Sequence, residues 1–266
     1  MLAQERQQKI ITKVIQEGNV TIQHLAQEFG VTSETIRRDL AILEGKKDSG
    51  IIKTHGGVMR KTSMEQDFSL EFRLKQHSEE KKCIGSHAMM RVEDGDVLYM
   101  PAIGSCVCAV AKLQGIHNLI VVTPSLDIAT IISDKINDGI ITGEVYMFGS
   151  RINPKHRSFL PDALSAETYR GLHFTKAFVG ASALSLQGPA LYNIDAVNLN
   201  KIIMQQSDQV FLLAESSKFH KSSVFRYADY SDFDCFITDD STPIPPEVYQ
   251  SLQTHEVELV QLSTHS

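Results

Sequence analysis

The ten residues Val31-Thr32-Ser33-Glu34-Thr35-Ile36-Arg37-Arg38-Asp39-Leu40 constrain this chain more than any other stretch. Thr32 or Ser33 can serve as an N-cap, because a hydroxyl oxygen accepts a bond from an otherwise unpaired backbone N–H. Ile36 and Leu40 lie four apart and Leu43 three further on, which gives a short helix one apolar stripe. The opposite face carries Ser33, Glu34, Arg37 and Arg38, hydrogen-bonding and cationic groups suited to phosphates and base edges. An isolated Arg-Arg pair is most often an ordinary solvated face, so the neighbours decide.

Upstream, Ile10, Ile11, Val14 and Ile15 recur at helical spacing between Leu2 and Gln16, and Gly18 stops the run. Thr21 then caps a second helix over 22–29, with Leu25, Ala26 and Phe29 inward and Gly30 suited to the tight turn before the third. Downstream, Gly50 to Lys61 reads as two β-prone runs about Gly56-Gly57, a hairpin whose Lys53, His55, Arg60 and Lys61 suit a phosphate backbone. Helix, helix, turn, helix and basic hairpin in that order predict a winged helix-turn-helix over residues 1–61. Its expected DNA contacts are Thr21, Thr32, Ser33, Glu34, Thr35, Arg37, Arg38, Lys53, His55, Gly56 and Arg60.

The net charge of −6 argues by itself against a polyanionic partner, but its distribution does not. Residues 1–61 hold 10 of the 26 Lys+Arg and only 7 of the 32 Asp+Glu, so a mildly basic head precedes an acidic body. The four cysteines lack metal-type spacing and predict a reduced, cytoplasmic setting, with Cys106 and Cys108 as small apolar packing groups. No apolar run approaches the roughly 20 residues that a membrane span needs, and no metal or cofactor is expected.

Residues 62–78 are polar and without sustained period, and read as a linker. Over 79–266 strands and helices alternate: strands at 97–100, 119–123, 145–148, 177–180, 210–213 and 235–238, with helices at 105–113, 126–136, 163–169 and 197–206 between them. That alternation predicts an α/β domain with a mostly parallel sheet covered on both faces. Ligands of such sheets sit beyond the carboxyl ends of the strands, where helix N-termini favour anions. The loops there offer Gly104, Ser105, Cys106, Thr123, Ser125, Ser182 and Lys218, with Lys218 as the cation for an anionic ligand. For any one serine, ordinary helix capping is the commoner role, and membership of a surface ion pair is an equal alternative for Lys218.

The head resembles the DeoR family of transcription regulators, through Val31 to Leu40 with Leu43-Glu44, and through His55-Gly56-Gly57. The stretch Gly45 to Gly50 is about two residues longer than the family's usual link into the wing. The resemblance continues at Phe68, Phe72, Arg73, Lys81 and Ile84, and in the body at Gly104-Ser105, Thr123-Pro124-Ser125, Phe178-Val179-Gly180-Ala181 and Ser216-Ser217-Lys218-Phe219. It implies a sensor domain similar in fold to ribose-5-phosphate isomerase, responding to a phosphorylated sugar at those body positions. Acidic positions depart: Pro101 or Ala102 and Ser182 stand where the family has Asp, and Glu215 replaces the Asp before Ser-Lys.

Those departures separate two classes of function. An aldose–ketose isomerase moves a proton with carboxylates, and a serine cannot replace one near neutral pH. The sequence therefore predicts a DNA-binding repressor of a carbohydrate-utilisation operon, not an enzyme. Its expected partners are double-stranded operator DNA, a small phosphorylated sugar and a second copy or copies in a homodimer or homotetramer. The alternatives are a sugar-phosphate isomerase with an accessory head, and a DNA-binding protein with a vestigial pocket.

Overall fold

The Thr21 hydroxyl accepts the backbone N–H of His24, opening a helix where the capping rule places one. Its surroundings, and the rest of the fold, come from a computed structural model that describes residues 2–17, 19–44, 51–53, 56–60, 69–149, 151–160, 163–221 and 223–264. The chain divides into two compact units, Met1–Ser69 and Leu70–Ser266.

In the first unit, α1 (Ala3–Glu17), α2 (Ile22–Phe29) and α3 (Ser33–Glu44) bury Ile10, Val14, Leu25, Ile36, Leu40 and Leu43 against one another. Gly30 ends α2 at φ +62, the left-handed region that costs glycine least, and so turns the chain into α3. The expected hairpin forms from β2 (Ile51–Lys53) and β3 (Gly57–Arg60). A third strand, β1 (Asn19–Thr21), which the local sequence does not predict, pairs antiparallel with β3. Gly57 permits that pairing, since a Cβ there would lie 2.4 Å from the Val20 carbonyl oxygen. Of the residues read as the wing, His55 and Lys61 lie outside the described residues.

The second unit begins with α4 (Leu70–Lys75) and α5 (Ser78–Met89), so the later part of the stretch read as a linker is helical; residues 61–68 are outside the described set. Its sheet has seven strands: β4 (Val97–Tyr99), β5 (Leu119–Val122), β6 (Gly143–Tyr146), β9 (Phe174–Gly180), β12 (Ser207–Leu213), β14 (Cys235–Asp239) and β15 (Glu258–Leu262). They lie in the order β15-β14-β12-β9-β4-β5-β6, and every neighbouring pair is parallel. Neighbouring residues on one strand face opposite sides. Leu98, Phe178, Phe211 and Ile237 pack with α5, α6 (Gly104–Ala109) and α7 (Leu126–Asn137). Tyr99 and Ala177 pack with α8 (Ala163–Arg170) and α9 (Ile194–Gln205), and Val179, Leu212 and Phe236 with α10 (Pro246–Thr254). Covering helices on both faces explain why these strands read as continuous apolar runs.

Several sequence expectations need correction here. The strand placed at 145–148 is Gly143–Tyr146. The helix placed at 105–113 stops at Ala109 and tightens into a 3-10 turn at Val110–Lys112. Strict alternation is broken by two small antiparallel sheets, β7 (Arg151–Asn153) with β8 (Ser158–Leu160), and β10 (Ala183–Ser185) with β11 (Gly188–Leu191) and β13 (Phe225–Arg226). Among the described residues no helix is long and apolar enough to cross a membrane.

Candidate DNA-binding helix and ligand-binding edge

Helix α3 exposes Arg37 and Arg38, whose side chains are 54% and 79% accessible. Glu34 lies between them, its carboxylate 3.5 Å from Arg37 Nη1 and 3.8 Å from Arg38 Nε. Exposed pairs of this length contribute at most about 1 kcal/mol, so a phosphate can take either guanidinium from Glu34. At the helix start the Thr32 hydroxyl accepts the Thr35 N–H at 3.2 Å and lies 2.9 Å from the Thr35 hydroxyl. Thr32 is therefore the cap, and Ser33 is the first helical residue. Thr21 likewise uses its oxygen as a cap, while Lys53 and Gly56 are exposed on the hairpin. Arg60 lies in β3, with its side chain outside the described residues.

In the second unit the sheet order reverses between β4 and β9: β5 and β6 continue to one side, and β12, β14 and β15 to the other. In open α/β sheets ligands bind beyond the carboxyl ends of the strands at such a reversal. The loops found there do converge. A Cβ on Gly180, at the end of β9, would sit 3.0 Å from Ile103 Cγ2 in the loop after β4. A Cβ on Gly104 would sit 2.7 Å from Lys81 Cδ, so the stem of Lys81 crosses that same loop. The Lys81 ammonium lies 2.9 Å from the carboxylate of Glu215, beyond β12, and Lys218 lies 3.6 Å from the other oxygen of Glu215.

Glu215 is therefore a buried carboxylate held between two ammoniums. Burial acts to raise its pKa, but Lys218 and Lys81 together hold it well below the ordinary carboxylate value. Burial lowers the Lys81 pKa, and Glu215 opposes that shift. Lys81 also donates to the carbonyls of Arg73, at 2.6 Å, and Gln76. Lys218 has no such saturation: among the described residues its ammonium pairs with Glu215 alone.

The remaining candidates divide. Thr123 and Ser125 are fully buried. The Thr123 hydroxyl donates to the Met100 carbonyl at 2.6 Å and accepts the Ser125 N–H, while the Ser125 oxygen caps α7 through the Ile128 N–H. Both oxygens thus do the capping and loop-bracing work that serves as the ordinary role of such residues. Cys106 is sealed in the apolar core, and burial pushes its thiol up. Ser105 is buried in the first turn of α6. Ser182 is half-buried, its N–H donating to the Ala190 carbonyl.

Residues 6–64 match the DeoR-like helix-turn-helix domain, and residues 76–240 match the DeoR C terminal sensor domain. The chain belongs to the DeoR family of transcriptional regulators. The HTH-type transcriptional repressor GlcR of Bacillus subtilis is 32% identical to it over 239 residues, 90% of this chain and 89% of that protein. The HTH-type transcriptional regulator IolR of the same organism is 30% identical over 258 residues, 95% and 96% of the respective chains. Among solved structures, a D-ribose-5-phosphate isomerase in complex with phospho-erythronic acid aligns with 52% of each chain at 14% identity and a TM-score of 0.35.

As a site residue of this DeoR-family chain, Lys81 went unassigned in the sequence, though a signal for it exists. It stands three before Ile84 and seven before Ala88, on the apolar stripe of α5. A lysine on the buried face of a helix needs a buried partner. Glu215, itself in the position where the family carries another acid, supplies it.

Proposed function

We propose that this chain is a repressor of a carbohydrate-utilisation operon in the cytoplasm, released from its operator when a phosphorylated sugar binds the β4/β9 edge of the second unit. The observation that carries the DNA half is α3, capped by Thr32, packed through Ile36 and Leu40, and presenting two solvent-exposed arginines. Lys218, whose ammonium among the described residues pairs with Glu215 alone, supports an anionic ligand. The coupling is thermodynamic: a ligand that prefers one conformation of the sensor changes the population competent to bind DNA. A repeated half-site geometry, about 34 Å or a multiple apart, calls for a homodimer or homotetramer.

The same edge supports a binding role over catalysis. The carboxylate between its two lysines, Glu215, is committed to Lys81 and Lys218 and held ionised, which makes it a weak proton acceptor. Selection of binding sites from random duplex DNA with the full chain, followed by anisotropy titrations with and without a panel of sugar phosphates, tests the reading. A recovered motif whose affinity drops with one of those esters is the expected result. Recovery of no motif overturns it, and turnover of ribose 5-phosphate would favour the isomerase instead.

A further inference from the structure

Helix α4 lies across the ligand-binding edge and is held at both ends by residues of that edge. At its start, the Leu70 N–H donates to the Lys155 carbonyl in the β7–β8 turn. That turn is itself bonded to the loop after β5, through Leu126 N–H to Arg157 and Phe159 N–H to Pro124. At its end, the carbonyls of Arg73 and Gln76 accept from the Lys81 ammonium, whose third partner is Glu215 beyond β12. Between the two, Leu74 Cδ2 lies 3.7 Å from where a Cβ on Gly104 would stand. α4 thus spans the reversal point from the β5 side to the β12 side, and it is the first element of the second unit.

Lys81 holds this strap with an ammonium spent on two neutral carbonyls and one carboxylate. A phosphate oxygen is a stronger acceptor for an ammonium than a peptide carbonyl, because it carries net negative charge and adds Coulombic attraction to the hydrogen bond. The Lys81 stem already runs along the Gly104 loop, beside the site where Lys218 would take an anion. We propose that Lys81 is a second ligand contact which, on turning from the carbonyls of Arg73 and Gln76 to the ligand's phosphate, releases the C-terminal end of α4. The loosened helix follows the connector from the DNA-binding unit directly in the chain, so the release is the step that carries occupancy towards the head. This rests on the reading of the β4/β9 edge as the ligand site.

Hydrogen exchange on the full chain, with inorganic phosphate as the probe against a phosphate-free buffer, tests it. Phosphate is expected to protect residues 214–221 and to speed exchange of residues 70–76 several-fold at the same midpoint. Protection of 214–221 with 70–76 unchanged overturns the strap while sparing the site. Protection of neither overturns the site itself. Lys81→Met separates contact from scaffold: loss of a charge-assisted bond raises the phosphate midpoint by about tenfold or more. An unmoved midpoint in that variant makes Lys81 a structural residue only. Should the variant fail to fold, the exchange pattern of the wild-type chain still decides.

Discussion

Arg6 Nε lies 2.6 Å from Asp39 Oδ2, with the two side chains only 11% and 4% exposed. Gln7 Nε2 donates to the other oxygen of Asp39 at 2.9 Å. Asp39 follows Arg38 directly, so the buried pair fixes the rotation at which α3 presents its two arginines. Breaking a buried ion pair by removing one partner costs about 3–5 kcal/mol, because the remaining charge is stranded. Asp39→Asn is expected to lower the stability of the first unit by that order in a denaturant titration, and to weaken operator binding. A shift below about 1 kcal/mol would remove the pair from the account of the head.

Arg37 and Arg38 are exposed and make only long contacts with Glu34, so neither supports the fold. Arg37→Ala and Arg38→Ala should leave the melting temperature unchanged while weakening operator binding. A lost phosphate contact should also flatten the slope of log affinity against log salt by about 1. Unchanged affinity and slope in both variants would move the DNA contact off α3.

Glu215 gives the stability of the second unit an acid limb. Its folded pKa lies below the ordinary 4.5, so its pairing stabilises fully above that pH and is lost as pH falls through the folded value. At neutral pH Glu215→Gln is expected to be less stable than wild type, since Lys81 loses its counter-charge. The gap should narrow as pH falls below about 4.5, where the carboxyl of the unfolded chain takes up its proton while the folded one stays ionised, and close only well below that. Parallel stability curves across that range would show that the pairing contributes nothing.

Lys218→Ala should leave operator affinity in the absence of ligand intact and raise the ligand concentration needed for release. Anisotropy titrations with an active sugar phosphate measure both quantities on one preparation. If the response midpoint stays put, the ligand's anion is held elsewhere.

Gly85 lets α5 approach the start of α6, since a Cβ there would lie 2.0 Å from the Ser105 carbonyl oxygen and 2.6 Å from Ala109 Cβ. Both obstacles are rigid, so Gly85→Ala should cost about 1–3 kcal/mol or more through overpacking. It should also displace the Gly104-Ser105 loop. Chemical denaturation checks the first effect, and ligand response the second.

Much of this architecture can be read from short-range chemistry. Thr21, Thr32 and Gly30 mark helix boundaries through bonds and dihedrals set within a few residues, and those boundaries stand where the sequence placed them. The parallel strands are legible because burial on both faces makes them apolar throughout. β1 was not, since its three residues become a strand only by pairing with β3, some 38 positions later: Thr21 with Gly57, Asn19 with Met59. The serines and threonine of the sheet-edge loops look alike in sequence. Which of them brace the protein and which stand free depends on distant partners, such as the Met100 carbonyl for Thr123. Glu215 reads as a departure from a family pattern, and only the fold shows the lysine that it answers.

The sheet order also dictates a sequence of events during synthesis. β4 is completed next to β9, and Val97 donates to the Thr175 hydroxyl 78 residues further along. The head, by contrast, is a compact unit within residues 1–69. A chain emerging from the ribosome can therefore assemble its DNA reader long before the strand that finishes the receptor has been made. Non-local parallel pairing is slow to form even once available. Chain order thus puts a completed DNA reader ahead of a completed seat for the signal.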